Sequence, residues 1–345
     1  MRLCYTFRMK RFCLAIVASL TVASAAHTAA RVELELVTER GVQITAPQEW
    51  LQRLADAGVA HIRIRGGRPG DEPRIENVGS EDRPTYLVVG LLTGRDGLIL
   101  PGGRFTARQR QEIRDYFDRL AADGPEAITV ETGRFGLTEK QFTAAHADLA
   151  QKITWDTKGA TLAELVEQAG KVSKLVWTVD PTAGRRLHAA APAIDDAKGH
   201  TLGTGMAMLL KPAGLAVRPT KPRGGEVELQ IVAADSEGET WPVGWKLEKS
   251  PKDTVPTLFE FTNVEVDGFT LAEAIDAIEP RIKLPIRWDH ATLAENEIDP
   301  TKVEVKLPRA RTYYKRIIDR LLGQGRLKGE LRVDEAGMVF YWVTR

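Results

Sequence analysis

The sequence contains one phrase twice, as "GATLAELVEQAGKVSKLVWTVD" at residues 159–180 and as "GFTLAEAIDAIEPRIKLPIRWD" at residues 268–289. The two stretches align without a gap at an offset of 109 residues. Gly, Thr, Leu, Ala, Glu, Lys, Leu and Asp recur at matching positions, which is too many for composition alone. Self-similarity at a fixed offset indicates a duplicated structural unit. We therefore expect two tandem modules with one fold.

Each copy of the phrase begins with a helix start signal. Thr161 with Glu164, and Thr270 with Glu273, are T-x-x-E capping boxes, in which hydroxyl and carboxylate satisfy opposite backbone N–H groups. Apolar residues follow at the i, i+3, i+4 and i+7 spacing of a buried helical face, namely Leu162, Leu165, Val166 and Ala169, then Leu271, Ala274, Ile275 and Ile278. We interpret the two glutamates as caps, although a recurring pair of carboxylates could also be a catalytic pair.

The phrases place two modules in the C-terminal part of the chain. The first is predicted at residues 151–249 and the second at 257–345, with the polar linker "SPKDTVP" at 250–256 between them. Periodicity predicts the order β-α-β-β-α-β-β in each, including a short strand at "RRLHAAAP" in the first and a helix near residues 312–322 in the second.

The first module resembles the short N-terminal domain of secretins and TonB-dependent receptors. The resemblance rests on "GATLAELVEQAGKVSKLVWTVDPTAG" followed by "LGTGMAMLLKPAGLAVRP", and the second module is similar but more divergent. It covers at most residues 150–345 and implies a small two-helix domain used for protein contacts in the bacterial envelope. No pore-forming region follows the second module, so we expect a protein that is neither a secretin nor a receptor itself.

Residues 1–30 are predicted to be a signal peptide. A basic start precedes the apolar run "FCLAIVASLTVASAA", and small residues allow cleavage near Ala25 or Ala30. Translation could begin at Met1 or at Met9. The apolar run is shorter than the ~20 residues that a membrane-spanning helix needs, and no later stretch approaches that length. We therefore expect an exported protein, periplasmic or secreted, with no transmembrane segment after the signal peptide.

Composition excludes several classes of function. Both cysteines, Cys4 and Cys13, lie in the signal peptide, so the mature chain has no disulfide, thiolate metal site or cysteine nucleophile. The 345 residues carry a net charge of only +1, which provides no general attraction to polyanions. Export further disfavours nucleic acid as a partner. No cofactor motif is present, and we expect none.

Residues 31–150 are predicted to form an N-terminal α+β or α/β domain that resembles no family known to us. "VELELVTE" alternates like a strand, and a helix carries Trp50 inward. Two further helices are expected to start at capping boxes, one at Thr106 with Gln109 and one at Thr138 with Gln141. The fold class predicted for the whole chain is therefore α+β, with an N-terminal α/β-type domain followed by two tandem small modules.

Few side chains suggest catalysis or metal binding. If the protein is an enzyme, a hydrolase is the natural class, and His61, Asp96 and His146 are the first candidates for its site. A metal site is suggested only by the stretch "HAAAPAIDDAKGH", whose possible ligands are His188, Asp195, Asp196 and His200. Their spacing matches no established metal motif, and we expect a polar loop there.

Two features point to binding. Trp241 and Trp245 in "TWPVGWK" could stack on a sugar or contact a protein partner. Residues 225–300 contain 17 acidic and 6 basic residues, whereas residues 306–332 contain 9 basic and 2 acidic ones. The predicted helix near residue 312 is expected to carry a basic face that could meet an anionic surface, glycan or acidic protein, formed by Arg309, Arg311, Lys315, Arg316 and Arg320.

Together these features favour a non-catalytic exported protein that binds envelope proteins through its duplicated modules. A secreted hydrolase with a site in the N-terminal domain, and a glycan-binding protein that uses Trp241 and Trp245, are the alternatives.

Overall fold

The chain folds into a mixed α+β protein whose strands form several small sheets. The computed structural model describes residues 29–39, 45–80, 83–93 and 97–345. Nearly all of the predicted signal peptide therefore lies outside the described residues. The same holds for Met1 and Met9, for both cysteines and for the predicted cleavage site near Ala25. Within the described residues, no helix combines the length and the apolar composition needed to cross a membrane.

The N-terminal unit is a six-stranded mixed sheet with helices packed on one face. Its strands are β1 (Arg31–Thr38), β2 (His61–Gly66), β3 (Arg74–Asn77), β4 (Thr85–Thr93), β5 (Gly97–Leu100) and β6 (Gly103–Thr106). Strand β1 lies between β2 and β4 and is parallel to both, whereas β5 and β6 continue the sheet in antiparallel fashion and β3 pairs with β4. Helices α1 (Ala46–Asp56) and α2 (Arg110–Asp123) bury apolar side chains against this sheet.

Helix α2 begins later than the sequence predicted. Thr106 ends strand β6, and Gln109 is the residue before the helix. The Gln109 side chain accepts the Thr106 backbone N–H at 2.9 Å, but no side chain caps the helix N-terminus. The prediction of a capping box at Thr106 and Gln109 is therefore wrong, because these residues close a turn in which the Gln109 N–H donates to the Thr106 carbonyl.

Residues 124–149 connect the N-terminal unit to the repeats. They form α3 (Glu126–Thr129), a 3-10 turn at Arg134–Gly136, and α4 (Glu139–Leu149). The capping box predicted for α4 is present, with Thr138 and Gln141 bonded reciprocally. Leu149 lies in the same apolar core as the residues of the first module. Helix α4 is therefore packed with the module that follows it.

The first module, hereafter the first repeat, has three helices and a three-stranded sheet. Its elements are α5 (Leu162–Val172), β7 (Val176–Val179), α6 (Pro181–Ala189), α7 (Leu202–Leu210), β8 (Leu215–Thr220) and β9 (Glu228–Ala233). Strand β9 lies in the centre, parallel to β7 and antiparallel to β8. The strand predicted at "RRLHAAAP" is wrong. That stretch lies mostly in α6, because Asp180 caps the Thr182 N–H and Pro181 occupies the first helical turn.

The stretch predicted as a linker is partly helical. Strand β10 (Trp245–Lys246) precedes it, and α8 (Pro251–Thr254) forms a single turn that Ser250 caps. A 3-10 turn at Pro256–Phe259 follows and buries Leu258 in the core of the second repeat. Strand β10 pairs with the second repeat, so the connection is fixed on both sides.

The second repeat reproduces the sheet of the first. Its elements are β11 (Phe261–Thr270), α9 (Leu271–Ile282), β12 (Ile286–Trp288), α10 (His290–Glu295), β13 (Glu304–Tyr313), α11 (Tyr314–Gln324), β14 (Lys328–Val333) and β15 (Val339–Thr344). Strand β15 lies between β12, to which it is parallel, and β14, to which it is antiparallel. This order and these directions match those of β7, β9 and β8. Strands β11 and β13 form a separate antiparallel ladder.

Local details agree with duplication. Both T-x-x-E capping boxes are formed as predicted, and all eight apolar positions after them are buried. Asp180 and Asp289, the last residues of the two phrases, each cap the next helix. The isolated bridge between Lys152 and Thr201 corresponds to the Phe261–Tyr313 pair of the second repeat.

The two repeats share a strand. Alternate side chains of β15 enter different cores: Phe340 and Trp342 belong to the core of the first repeat, whereas Tyr341 and Val343 belong to that of the second. Successive side chains of a strand point to opposite faces of its sheet, so one strand can complete both cores. The repeats therefore pack as neighbours on the two faces of one sheet.

Candidate functional site

A large concave surface of the described residues lies where the repeats meet. It is a groove of about 990 Å³ formed by α4, residues 242–249 and the β14–β15 hairpin. We call it the aromatic groove and define it by six of its lining side chains, which are Arg134, Phe142, His146, Trp245, Lys246 and Lys249. Pockets at interfaces between structural units are common ligand sites.

Aromatic rings are packed at one end of this groove. Trp241 and Trp245 meet edge to face with ring centroids 5.1 Å apart. Phe142 of α4 lies 6.2 Å from the Trp245 ring, and His146 of α4 lies 5.8 Å from it. The Arg134 guanidinium lies 4.9 Å from the Trp245 centroid, within the range of a cation–π contact. Trp245 thus has rings and a cation around it and remains half-buried.

A carboxylate from the second repeat holds both indoles in place. Glu335, in the turn between β14 and β15, accepts the Trp241 indole N–H at 2.6 Å and the Trp245 indole N–H at 3.1 Å. The same carboxylate accepts the backbone N–H of Thr204 at 3.2 Å and the hydroxyl of Thr201. Thr201 and Thr204 begin α7, so Glu335 also lies at the positive end of that helix.

Asp334 stabilises the turn that carries Glu335. Its buried carboxylate accepts the backbone N–H groups of Met338 at 2.8 Å, Ala336 at 3.0 Å and Thr201 at 3.3 Å. Burial raises the pKa of Asp334, and the three N–H donors oppose that rise only in part. The turn is therefore bonded both to itself and to the first repeat.

Further polar contacts join the repeats away from the groove. Lys211 donates to Asp289 at 2.5 Å, and Arg287 donates to the His200 ring at 3.2 Å. His200 is fully buried, and this burial, with the positive charge of Arg287, lowers its pKa to about 4. His290 lies 3.0 Å from Asp195.

Three of the four candidate metal ligands form structural contacts. Asp195 faces His290, and His200 faces Arg287. Asp196 accepts the backbone N–H groups of Lys198 and Thr157, whereas His188 is exposed on α6. Among the described residues, no group of three or more His, Cys, Asp or Glu could hold a metal ion. The four candidates thus do not converge.

The candidate catalytic residues are also separated. His146 lies in the aromatic groove beside Trp241 and Trp245, whereas His61 is exposed on edge strand β2 of the N-terminal sheet. No hydrogen bond or ring contact between described residues joins the two histidines. Asp96 lies outside the described residues. The structure therefore brings His146 together with the tryptophans and not with His61.

The basic residues are distributed over two elements. Lys315, Arg316 and Arg320 lie on α11, whereas Arg309 and Arg311 lie on β13, because the strand extends to Tyr313 before the helix begins. The prediction that all five lie on one helix is therefore wrong. Lys315 also pairs with Asp319 at 2.5 Å. Arg311 lies 5.9 Å from the ring of Phe261, which is 66% exposed.

No sequence motif marks the residues that organise the groove. Glu335 lies in the turn between β14 and β15, and Arg134 has no motif around it. Phe142 lines the groove while it packs against the core of the first repeat. Their roles depend on contacts between distant segments, and no local pattern carries that information.

Comparison with known proteins gives no relative. No protein-family model, no curated protein and no solved structure matches this chain.

Proposed function

We propose that this chain is an exported, non-catalytic protein of the bacterial envelope that binds other envelope proteins through two tandem secretin-N-like modules. The observation that carries the proposal is the aromatic groove at the interface between the repeats. It is built from both copies and fixed by Glu335, and its lining is rich in rings and exposed cations. Aromatic rings and arginine are enriched at protein contact surfaces.

The duplicated topology supports the module part of the proposal. Each repeat has a capped first helix, a strand ending at an Asp cap, and a central last strand parallel to that strand. These features agree with the phrases on which the resemblance rests. Export and the envelope location rest on the signal segment at residues 1–30 alone.

The alternatives receive less support from the geometry. Glycan stacking on the tryptophan pair would require two accessible indoles, but Trp241 is only 2% exposed and its N–H is already bonded to Glu335. A hydrolase built on His61 and His146 would require the two rings in one cleft, and His61 does not line the groove.

Site-specific crosslinking in the native host tests the proposal. A photoreactive amino acid at Lys246, in the groove, should form defined adducts with one or a few envelope proteins. The same probe at Glu76, exposed on β3 of the N-terminal unit, is the matched control and should not form those adducts. Adducts absent from both positions in an exported chain, or retention of the chain in the cytoplasm, would overturn the proposal.

A further inference from the structure

We propose that the aromatic groove binds an extended acidic peptide segment of a partner protein. The segment adds a strand to the free edge of β14 and places an apolar side chain against Phe142 and Trp245. This inference rests on the proposed function and specifies the site and the chemistry of the partner.

An unpaired sheet edge opens at the groove. Strand β10 pairs with only the last two residues of β14, Val333 and Arg332. No described strand pairs with the outer edge of the first four residues of β14, and Glu330 of that segment lines the groove. Extended peptides are commonly bound by adding a strand to such an edge.

An apolar seat lies beside that edge. Phe142 and Trp245 both line the groove, with ring centroids 6.2 Å apart and nearly perpendicular planes. Both rings are only partly buried. Because Glu335 and Arg134 fix the Trp245 indole, little side-chain entropy would be lost when a ligand packs against it. This seat suits an aromatic or long aliphatic side chain of the peptide.

The accessible charge of the groove is positive. Lys246 and Lys249 are exposed and form no ion pair with any described residue, and Arg134 has only a distant partner in Glu239, at 3.9 Å. Among the acidic residues of the groove, Glu248 is exposed and unpaired among the described residues. Glu330 is paired with Arg332. Asp334 is buried and bonded to backbone N–H groups. A peptide with carboxylates beside its apolar residue therefore complements the groove.

Binding of fluorescein-labelled hexapeptides to the full mature chain tests this inference. The first peptide alternates Glu with Val and Phe, the second replaces Glu by Lys, and the third is the acidic peptide with N-methylated amides that cannot form strand hydrogen bonds. The acidic peptide should bind at least about tenfold more tightly than either of the others, a difference of about 1.4 kcal/mol. Equal binding of all three, or binding of none, would overturn the inference.

Matched variants locate the site. The double variant Lys246→Glu and Lys249→Glu should weaken binding of the acidic peptide at least about tenfold, whereas Lys158→Glu, an exposed lysine outside the groove, should not. Phe142→Ala should weaken binding similarly, with Phe261→Ala as the exposed aromatic control. Circular dichroism of each variant shows that the fold is retained. Binding that follows the control variants instead would place the site elsewhere and refute the inference.

The outcome is separable from that of the proposed function. Crosslinks at Lys246 in the envelope, combined with no peptide binding, would refute only the peptide inference. If chitohexaose binds the chain while the acidic peptide does not, the ligand is a glycan and the inference fails.

Discussion

Glu335 of the second repeat accepts the indole N–H of Trp241 from the first repeat at 2.6 Å. The bond joins two copies of a duplicated fold through a buried ring and a turn that are far apart in sequence. The same carboxylate binds Trp245 and the start of α7, so a single side chain connects the groove to the core of the first repeat.

Removing this carboxylate should destabilise the protein strongly. Glu335→Ala leaves the buried Trp241 indole and the Thr204 N–H without their acceptor, and each unsatisfied buried group costs about 1–3 kcal/mol. We expect a loss of about 2–4 kcal/mol in the free energy of unfolding, measured by urea denaturation with tryptophan fluorescence. The control Glu237→Ala, an exposed residue without a described partner, should change it by less than about 0.5 kcal/mol. A small effect of Glu335→Ala would contradict this prediction.

Two helical glycines should respond in opposite directions to substitution by alanine. A Cβ at Gly203 in α7 would lie 2.5 Å from the Trp241 indole nitrogen and 2.8 Å from a Glu335 oxygen. Gly203→Ala should therefore destabilise the fold by about 1–3 kcal/mol through overpacking. Gly323 in α11 has nothing within 4 Å of the added methyl, so Gly323→Ala should stabilise by up to about 1 kcal/mol. Thermal unfolding of both variants tests this, and equal shifts would contradict it.

Because His200 is buried, the free energy of unfolding of the protein should fall in mild acid. The pKa of His200 is about 4 in the folded chain and 6.5 in the reference state, so the unfolded state binds more protons between these values. The contribution of neutral His200 to the free energy of unfolding is therefore fully present above pH 6.5. It is lost as the pH falls toward 4, by up to about 3 kcal/mol. The charged groups beside the ring are Arg287, which lowers the pKa of His200, and Asp195 and Asp196, which raise it.

The variant His200→Gln isolates this contribution, because a glutamine oxygen can still accept the Arg287 N–H. Its unfolding free energy should change less between pH 6.5 and pH 4.5 than that of the parent chain. His188→Gln, at an exposed histidine on α6, should keep the parent dependence. Asp334 has the opposite pH dependence, because its raised pKa makes its contribution to the free energy of unfolding more favourable as the pH falls. Asp334 is present in all three proteins, so its contribution cancels when they are compared. Parallel curves for parent and His200→Gln would contradict the prediction.

Removing either of the two duplicated capping boxes should lower the free energy of unfolding modestly and by a similar amount. Thr161→Ala and Thr270→Ala each remove a hydroxyl that accepts the N3 backbone N–H at 3.3 Å. Loss of such a cap typically costs about 1 kcal/mol. Urea denaturation should give similar losses for both variants, and Thr262→Ala on β11 serves as the control. A tenfold loss of peptide binding with unchanged stability would instead assign these positions to a binding site.

Local signals in the sequence predicted much of the fold and little of the candidate site. The T-x-x-E boxes and the apolar stripes after them depend on residues within two helical turns, and all of them are present as predicted. The strand predicted at "RRLHAAAP" was wrong because Asp180 and Pro181 start a helix there. The two tryptophans were recognised, but their partner Glu335 was not, because it approaches from a turn in the other repeat.

Strand β15 also has a consequence for the folding of the first repeat. Residues Phe340 and Trp342 lie near the end of the chain, yet their side chains belong to the core of the first repeat. The first copy therefore lacks part of its core until the last strand of the second copy is in place. A chain truncated before β15 should leave an apolar face of the first repeat open to chaperones and proteases.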